Sequence, residues 1–328
     1  MTNSMDVIQV AYETTGKDGK KQTKTVSLQE FLGIDKENRD TFTMPQGLDE
    51  TDQIKWEAIR NLYELNGREA LYEKFPKREK TLTINLTHRG HNTESQGHFE
   101  PSDNTLDFGF DKGKNRDESI RLATASLAHE TKHAQQFGKD LLAMMKKMMT
   151  SQVEDGLANH QWRYLSEAQA YALGGYVYAK LAQNPNERTG FLQDERYEKY
   201  KSEYAEIEKI HQQASDKATY KEMERPLMMA WLDVLFRGEA NGYRDSYFKN
   251  VSIGKNDKGI TFIPDSFSLQ PQDVASLMDK VKKETPKTPT KRGLLRAQTK
   301  LLTTLTHILQ SKQASGKTNQ NTSSRAGR

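Results

Sequence analysis

Hydrophobic and polar positions recur along the chain with two periods, and each period names an element. Over Thr81–Thr87 and again over Asn104–Asp111, apolar and polar residues alternate, as in a half-buried strand. In the second run Leu106, Phe108 and Phe110 share one face, while Asp107 and Gly109 share the other. Val7–Tyr12 also reads as a strand, with a turn at Gly16–Gly19 and a returning strand over Thr23–Leu28. Elsewhere the apolar period is helical. Ile54, Ile59, Leu62, Tyr63 and Leu65 mark a helix from Asp49 that Asn66-Gly67 should end. Arg68–Phe75 is a second short helix, stopped by Pro76.

Ile120, Ala123, Leu127 and Ala134 give the buried side of a helix that opens on an Asn115/Glu118 capping box and stops at Gly138. Leu141–Met149 continues helically, with Met144, Met145, Met148 and Met149 as core filler. Asp155–Gln183 is the next helix, broken at Asn184-Pro185. Glu187–Glu224 is charged but carries a stripe of Tyr197, Tyr200, Tyr204, Ile207 and His211. Pro226 opens an apolar helix through Met228, Trp231, Val234 and Leu235. Gly254–Pro264 reads as a hairpin or an irregular strand, and Gln270–Lys283 as a helix. Thr285–Thr290 is a linker, Gly293–Gln310 an amphipathic helix, and the last 16 residues are expected to be disordered. The fold class is therefore α+β, predominantly helical, with a small sheet ahead of a central helix.

Composition narrows the chemistry. The 328 residues contain no cysteine, so disulfides and thiolate metal sites are excluded and any metal must use His and carboxylate ligands. No run of 18 apolar residues exists, and the first residues lack a basic region followed by an apolar one. Neither a transmembrane segment nor a cleavable leader is expected. The chain should be cytoplasmic in the producing cell, or exported without a cleavable signal peptide. The net charge of +4 hides an asymmetry. After Glu284 there are nine basic residues and no acidic one; without those nine, 40 basic face 45 acidic side chains. The basic amphipathic C-terminal segment suits a contact with an acidic surface or partner, or simply a solvated tail. No Gly-rich phosphate loop and no basic-aromatic pattern for nucleic acid is present.

The chemistry concentrates in Leu127–Gln136, which contains His129-Glu130-Thr131-Lys132-His133. On a helix, positions i and i+4 lie one above the other, so both imidazoles can reach one zinc ion. Glu130 between them can take a proton from a water at the metal. Chance alone gives roughly 0.01–0.02 such matches for this composition. The alternative is two solvent-facing histidines on an ordinary helix. A catalytic zinc needs a third protein ligand. No histidine follows at the spacing of the metzincin pattern. Glu167 fits best, 34 residues after His133 in Glu167-Ala168-Gln169-Ala170-Tyr171. The small residues Ala168, Ala170, Ala172, Gly174 and Gly175 would let its helix approach the motif helix; a surface carboxylate is the plain alternative.

His-Glu-x-x-His followed by Glu-Ala-x-Ala resembles the gluzincin branch of the zincin-like metallopeptidases. His-Glu-x-x-His-Ala-x-Gln together with Glu-Ala-x-Ala is similar, more closely, to a group of largely uncharacterised bacterial metallopeptidases. The resemblance covers about Thr81 to Leu181. It implies Zn²⁺ as cofactor, His129, His133 and Glu167 as ligands, and Glu130 as base. The chain departs from the group at Gln169, where Asp is common. With that resemblance the domains read as a small N-terminal β element (1–50), a zincin-like catalytic domain (51–250), a hairpin and helix packed on it (251–285), and a linker, basic helix and disordered tail (286–328).

Peptide-bond hydrolysis, with endopeptidase action on a protein substrate, is the expected activity, and a secreted bacterial effector is one setting for it. The strand holding Asp107, Phe108 and Gly109 would offer its edge to the substrate as an added strand; the alternative is a hairpin that only covers the core. His160, Tyr164 and Tyr171 lie at −7, −3 and +4 from Glu167 and share its helix face. Any of them could donate to the oxyanion, or be packing. His88, His91 and His98 could flank the cleft or form a second metal site, and His211 and His307 should sit on helix surfaces. Two other functions compete: a zincin-like scaffold acting through its basic tail, and a metal-dependent amidase on a non-protein substrate.

Overall fold

A computed structural model describes residues 3–15, 20–35, 41–72, 75, 79–87, 97–110, 113, 115–137, 157–182, 184–192, 201–213, 218–237, 269–283, 299–300, 302–312 and 314. The fold is mostly helical with one mixed five-stranded sheet. The chain divides into two compact units, one of Met1–Met144 with Gln169–Leu227 and the other of Met145–Ala168 with Met228–Arg328.

The first unit holds the whole sheet, in the order β2-β1-β3-β5-β4. β1 (Gln9–Thr15) and β2 (Lys21–Ser27) form an antiparallel hairpin. β3 (Thr83–Asn85) joins β1 in parallel, and β5 (Thr105–Asp107) joins β3 in parallel. β4 (His98–Glu100) closes the far side, antiparallel to β5. Two expectations change here. Residues 1–50 are not a separate element, because their hairpin supplies two strands of this sheet. The cause is β1 itself: Val10 and Tyr12 are buried, and the strand is hydrogen-bonded on both sides. The segment around Asp107 is not an edge either. β5 lies between β3 and β4, so its backbone is already paired on both sides. Among the described residues the strand that ends the sheet on this side is β4. It is held by Phe99, which pairs opposite Leu106 and stacks on Phe137 with ring centroids 5.4 Å apart.

Helices cover the sheet. A short α1 (Leu28–Phe31) follows the hairpin, capped by Ser27. α2 (Glu50–Glu69) starts at Asp49, whose side chain accepts the Asp52 N–H at 2.8 Å. It runs through Asn66-Gly67 and ends at Ala70, whose φ of 50° is left-handed. Asn66 does not stop the helix because its side chain is used elsewhere. It donates to Ser4 Oγ at 2.9 Å and accepts from Tyr72 N–H at 3.1 Å. Leu71 and Tyr72 accordingly lie outside any helix. α3 (Arg116–Gln136) begins where the capping residues place it, with Asn115 Oδ1 accepting the Glu118 N–H at 2.9 Å. It packs against α2 and β4, burying Ala123, Leu127, Ala128, Thr131 and Ala134.

α4 (Leu157–Leu181) is one unbroken helix, and the division between the units falls within it, after Ala168. Gly174 gives it a close approach to α3: a Cβ there would lie 2.9 Å from the Ala125 carbonyl oxygen. Gly175 serves a different neighbour, since its Cβ would lie 2.6 Å from His211 Nε2. His211 is on α5 (Lys201–Gln213), beside buried Tyr204, Ile207 and Ile210, and is wholly buried rather than on the surface. The amphipathic stripe takes it inside with its neighbours. α6 (Tyr220–Arg237) starts six residues before Pro226, because Glu222 Oε2 accepts from the Thr219 N–H (2.8 Å) and hydroxyl (2.9 Å) and caps the helix there.

In the second unit lie the first part of α4 and the last part of α6, then α7 (Pro271–Lys283) and a helix over 302–312. Lys280 Nζ contacts Asp233 at 2.8 Å, and Leu302, Leu305 and Leu309 are buried; His307 is exposed, as expected. Gly138, the methionine-rich segment, the 254–264 hairpin, the 285–290 linker, Tyr197, Tyr200 and residues 315–328 lie outside the described residues. Among the described residues no helix is long and apolar enough to cross a membrane.

Burial holds the His211 imidazole down at about 4, with only weak opposition from the Arg188 backbone. The folded state thus keeps it neutral, while the unfolded chain protonates it below its ordinary value of 6.5. Between these values the unfolded state binds more protons, so stability is lost as pH falls from about 6.5 to about 4. The loss from this one group is about 3 kcal/mol. Urea unfolding at pH 7 and pH 4 should show the His211→Phe variant losing that much less than the wild type. An equal pH effect in both proteins would contradict the assignment.

Candidate metal centre

α3 carries His129 and His133 one turn apart on the same face. Their Nε2 atoms lie 3.1 Å from each other, and their rings are 4.8 Å apart at 81°. α4 adds Glu167. One ligand atom from each of the three residues lies within 4.8 Å of the other two. Among the described residues this is the one group of histidines and carboxylates so arranged. The chemistry of the donor set fits zinc. Two imidazole nitrogens bound tetrahedrally at 2.0–2.1 Å stand about 3.3 Å apart, close to what the two rings adopt. All three residues are half-buried, so the group is neither sealed in the core nor free in water.

Glu130, between the two histidines, is 7% exposed. Its carboxylate lies against the residue that leads into β4. A Cβ on Gly97 would come 2.6 Å from Glu130 Oε1 and closer still to its Cγ. A side chain there would have to displace the Glu130 carboxylate, so the backbone ahead of β4 runs directly past the candidate base. Nothing local marks Gly97 in the sequence; it is a lone glycine in a polar stretch.

The other expected residues divide. Tyr171 stacks edge-on against His129, with centroids 4.5 Å apart at 70°, and so stands beside the ligands. Tyr164 is wholly buried on α4, as a packing residue would be. His160 lies on α4, but its side chain is outside the described residues. Asp107 is internal to the sheet, and Phe108 is buried with the Lys55 ammonium 5.4 Å from its ring centroid. Asp107 is paired with His98 of β4, and Phe108 and Gly109 follow the strand rather than forming an open edge of it. His98 is exposed on β4, 3.6 Å from the Glu100 carboxylate. His88 and His91 lie outside the described residues.

Behind His133 runs a chain of side chains. His133 Nδ1 meets Gln136 Oε1 at 3.0 Å. Gln136 Nε2 donates to Gln169 Oε1 at 2.9 Å, and Gln169 Nε2 donates to Glu224 Oε1 at 2.9 Å. Glu224 Oε1 also accepts from Tyr220 OH at 3.2 Å and lies 3.6 Å from Lys132 Nζ. Gln169, the departure from the expected Asp, is fully buried in the middle of this path. On the opposite side Thr131 bonds back to Leu127 O at 2.7 Å and meets the buried Tyr72 hydroxyl, which burial pushes well above the usual phenol range. Both faces of the motif helix are thus fixed by polar contacts. Glu224, Tyr220 and Lys132 were not anticipated; they lie far along the chain or face away from the metal motif.

No protein-family model matches the chain, and neither a curated protein nor a solved structure matches it. The chemistry therefore rests on the residues themselves. Two imidazole nitrogens and a carboxylate converge, and Glu130, between the two histidines in sequence, has its carboxylate against the backbone at Gly97.

Proposed function

We propose that the chain is a zinc-dependent endopeptidase with a zincin-like core. The observation that carries this reading is the convergence of His129, His133 and Glu167, with Glu130 packed against the backbone at Gly97. Zinc bound there would supply Lewis acidity, polarising the scissile carbonyl and making a water readily deprotonated near neutral pH. Glu130 accepts the proton of the attacking water and returns it to the leaving amine. Its near-complete burial keeps bulk water from competing for that proton. Tyr171, whose ring rests on His129, is the candidate donor to the developing oxyanion. The substrate lies along β4, the terminal strand, and extends the sheet by backbone hydrogen bonds. This moves the substrate contact from Asp107, Phe108 and Gly109 to residues 97–100, and it brings the scissile bond past Glu130.

Full-length protein with one equivalent of zinc is expected to cut an unfolded protein at internal bonds. A chelator should stop the reaction and added zinc restore it. New internal termini, read by mass spectrometry, would support the proposal. Trimming from the chain ends alone would rule out endopeptidase action. Absence of cleavage across a panel of unfolded proteins would overturn the peptidase reading.

A further inference from the structure

We propose that Glu224 sets the ring tautomer of His133 from a distance, through Gln169 and Gln136, and that these three are positioning residues for the metal centre. Its consequence for metal binding rests on the zinc reading given above. The tautomer does not.

The argument follows hydrogen-bond polarity. A carboxylate only accepts, whereas a primary amide has one accepting and one donating end. Glu224 Oε1 receives Gln169 at 2.9 Å, with Tyr220 OH at 3.2 Å and the Lys132 ammonium at 3.6 Å. Gln169 must therefore turn its NH₂ toward Glu224, which leaves its carbonyl oxygen facing Gln136. Gln136 must turn its own NH₂ toward that oxygen, 2.9 Å away, which leaves its carbonyl facing His133 Nδ1 at 3.0 Å. An oxygen acceptor there requires Nδ1 to carry the proton. Nε2 is then the bare nitrogen, and it points at His129 Nε2, 3.1 Å away, where a metal ligand is needed. Reversing either amide would set oxygen against oxygen. Metal-binding histidines commonly donate directly to a carboxylate. Here the same polarity passes through two amides, and Gln169, buried within the fold, has no solvent to reorient it.

A charge-neutralising change at the far end tests this. Glu224→Gln removes the fixed acceptor, so both amides can reverse. Gln136→Glu in that background puts a carboxylate directly on His133 and lets Gln169 and the new Gln at 224 reverse with every bond kept. Tautomers are read in metal-free protein labelled with ¹⁵N-histidine, with His133 assigned by its loss in His133→Asn. The wild type should show Nδ1–H at His133. Glu224→Gln should show the Nε2–H form in substantial amount, and the double variant should return to Nδ1–H.

Zinc affinity, measured by competition with a chromophoric chelator, should fall about 10–100-fold in Glu224→Gln and recover to within about threefold in the double variant. If Glu224→Gln fails to fold, Gln136→Met cuts the path at its half-buried end and should give the same mixed tautomer. Wild-type His133 in the Nε2–H form would overturn the proposal at once, as would a tautomer that none of these changes moves. Tautomers that switch in a chain binding no zinc would sink the metal reading and leave this one. Zinc binding with an unmoved tautomer would do the reverse.

Discussion

Glu130→Gln is expected to lower kcat by about 10²–10⁴-fold while the protein still binds one zinc. An amide keeps the volume of the carboxylate but cannot accept the proton of the attacking water. The choice of Gln matters because the carboxylate sits where a Cβ on Gly97 would be 2.6 Å from Oε1. A larger replacement would displace the backbone leading into β4, and a smaller one would leave a void beside it. Neither would isolate proton transfer. Since Glu130 is not among the three converging donors, zinc content should be unchanged. Full activity in a zinc-loaded Glu130→Gln protein would mean that another group takes the proton.

Glu167→Ala should weaken zinc binding by more than about 100-fold, beyond the 10–100-fold typical of groups that only support a ligand. It removes the one carboxylate of the group and leaves two imidazoles, which can share an ion but not fix its geometry. The fold should survive, since Glu167 is half-buried on a helix that continues to Leu181. Thermal melts give the independent readout. Zinc should raise the melting temperature of the wild type, by mass action on the folded state, and should have little effect on Glu167→Ala. A variant that melts like the wild type at every zinc concentration would remove Glu167 from the site.

The parts of this account that were legible in the sequence are those with a local period. His129 and His133 needed only the i, i+4 geometry of a helix, and Asn115 needed only its spacing to Glu118. The approach of α4 to α3 was carried by small residues, of which Gly174 makes the close contact while Gly175 instead makes room for His211. Alternation along Leu106 and Phe108 fixed which face is buried but said nothing of which strands lie to either side. Strand order is a tertiary property, and β4 is too short to show a period: it has a single buried residue, Phe99. The relay was invisible for the same reason. Gln169 and Glu224 are 55 residues apart, and nothing local distinguishes Glu224 from the other acidic residues of its charged stretch. His211 was misplaced by its polarity, although its stripe with Tyr204 and Ile207 had put it on the buried face.

Equilibrium dialysis of the full-length chain against zinc tests the central claim most directly. One zinc per wild-type chain is expected, lost in His129→Ala, His133→Ala and Glu167→Ala alike. A wild-type chain that holds no zinc, or one that holds it equally well without those three side chains, would contradict the account.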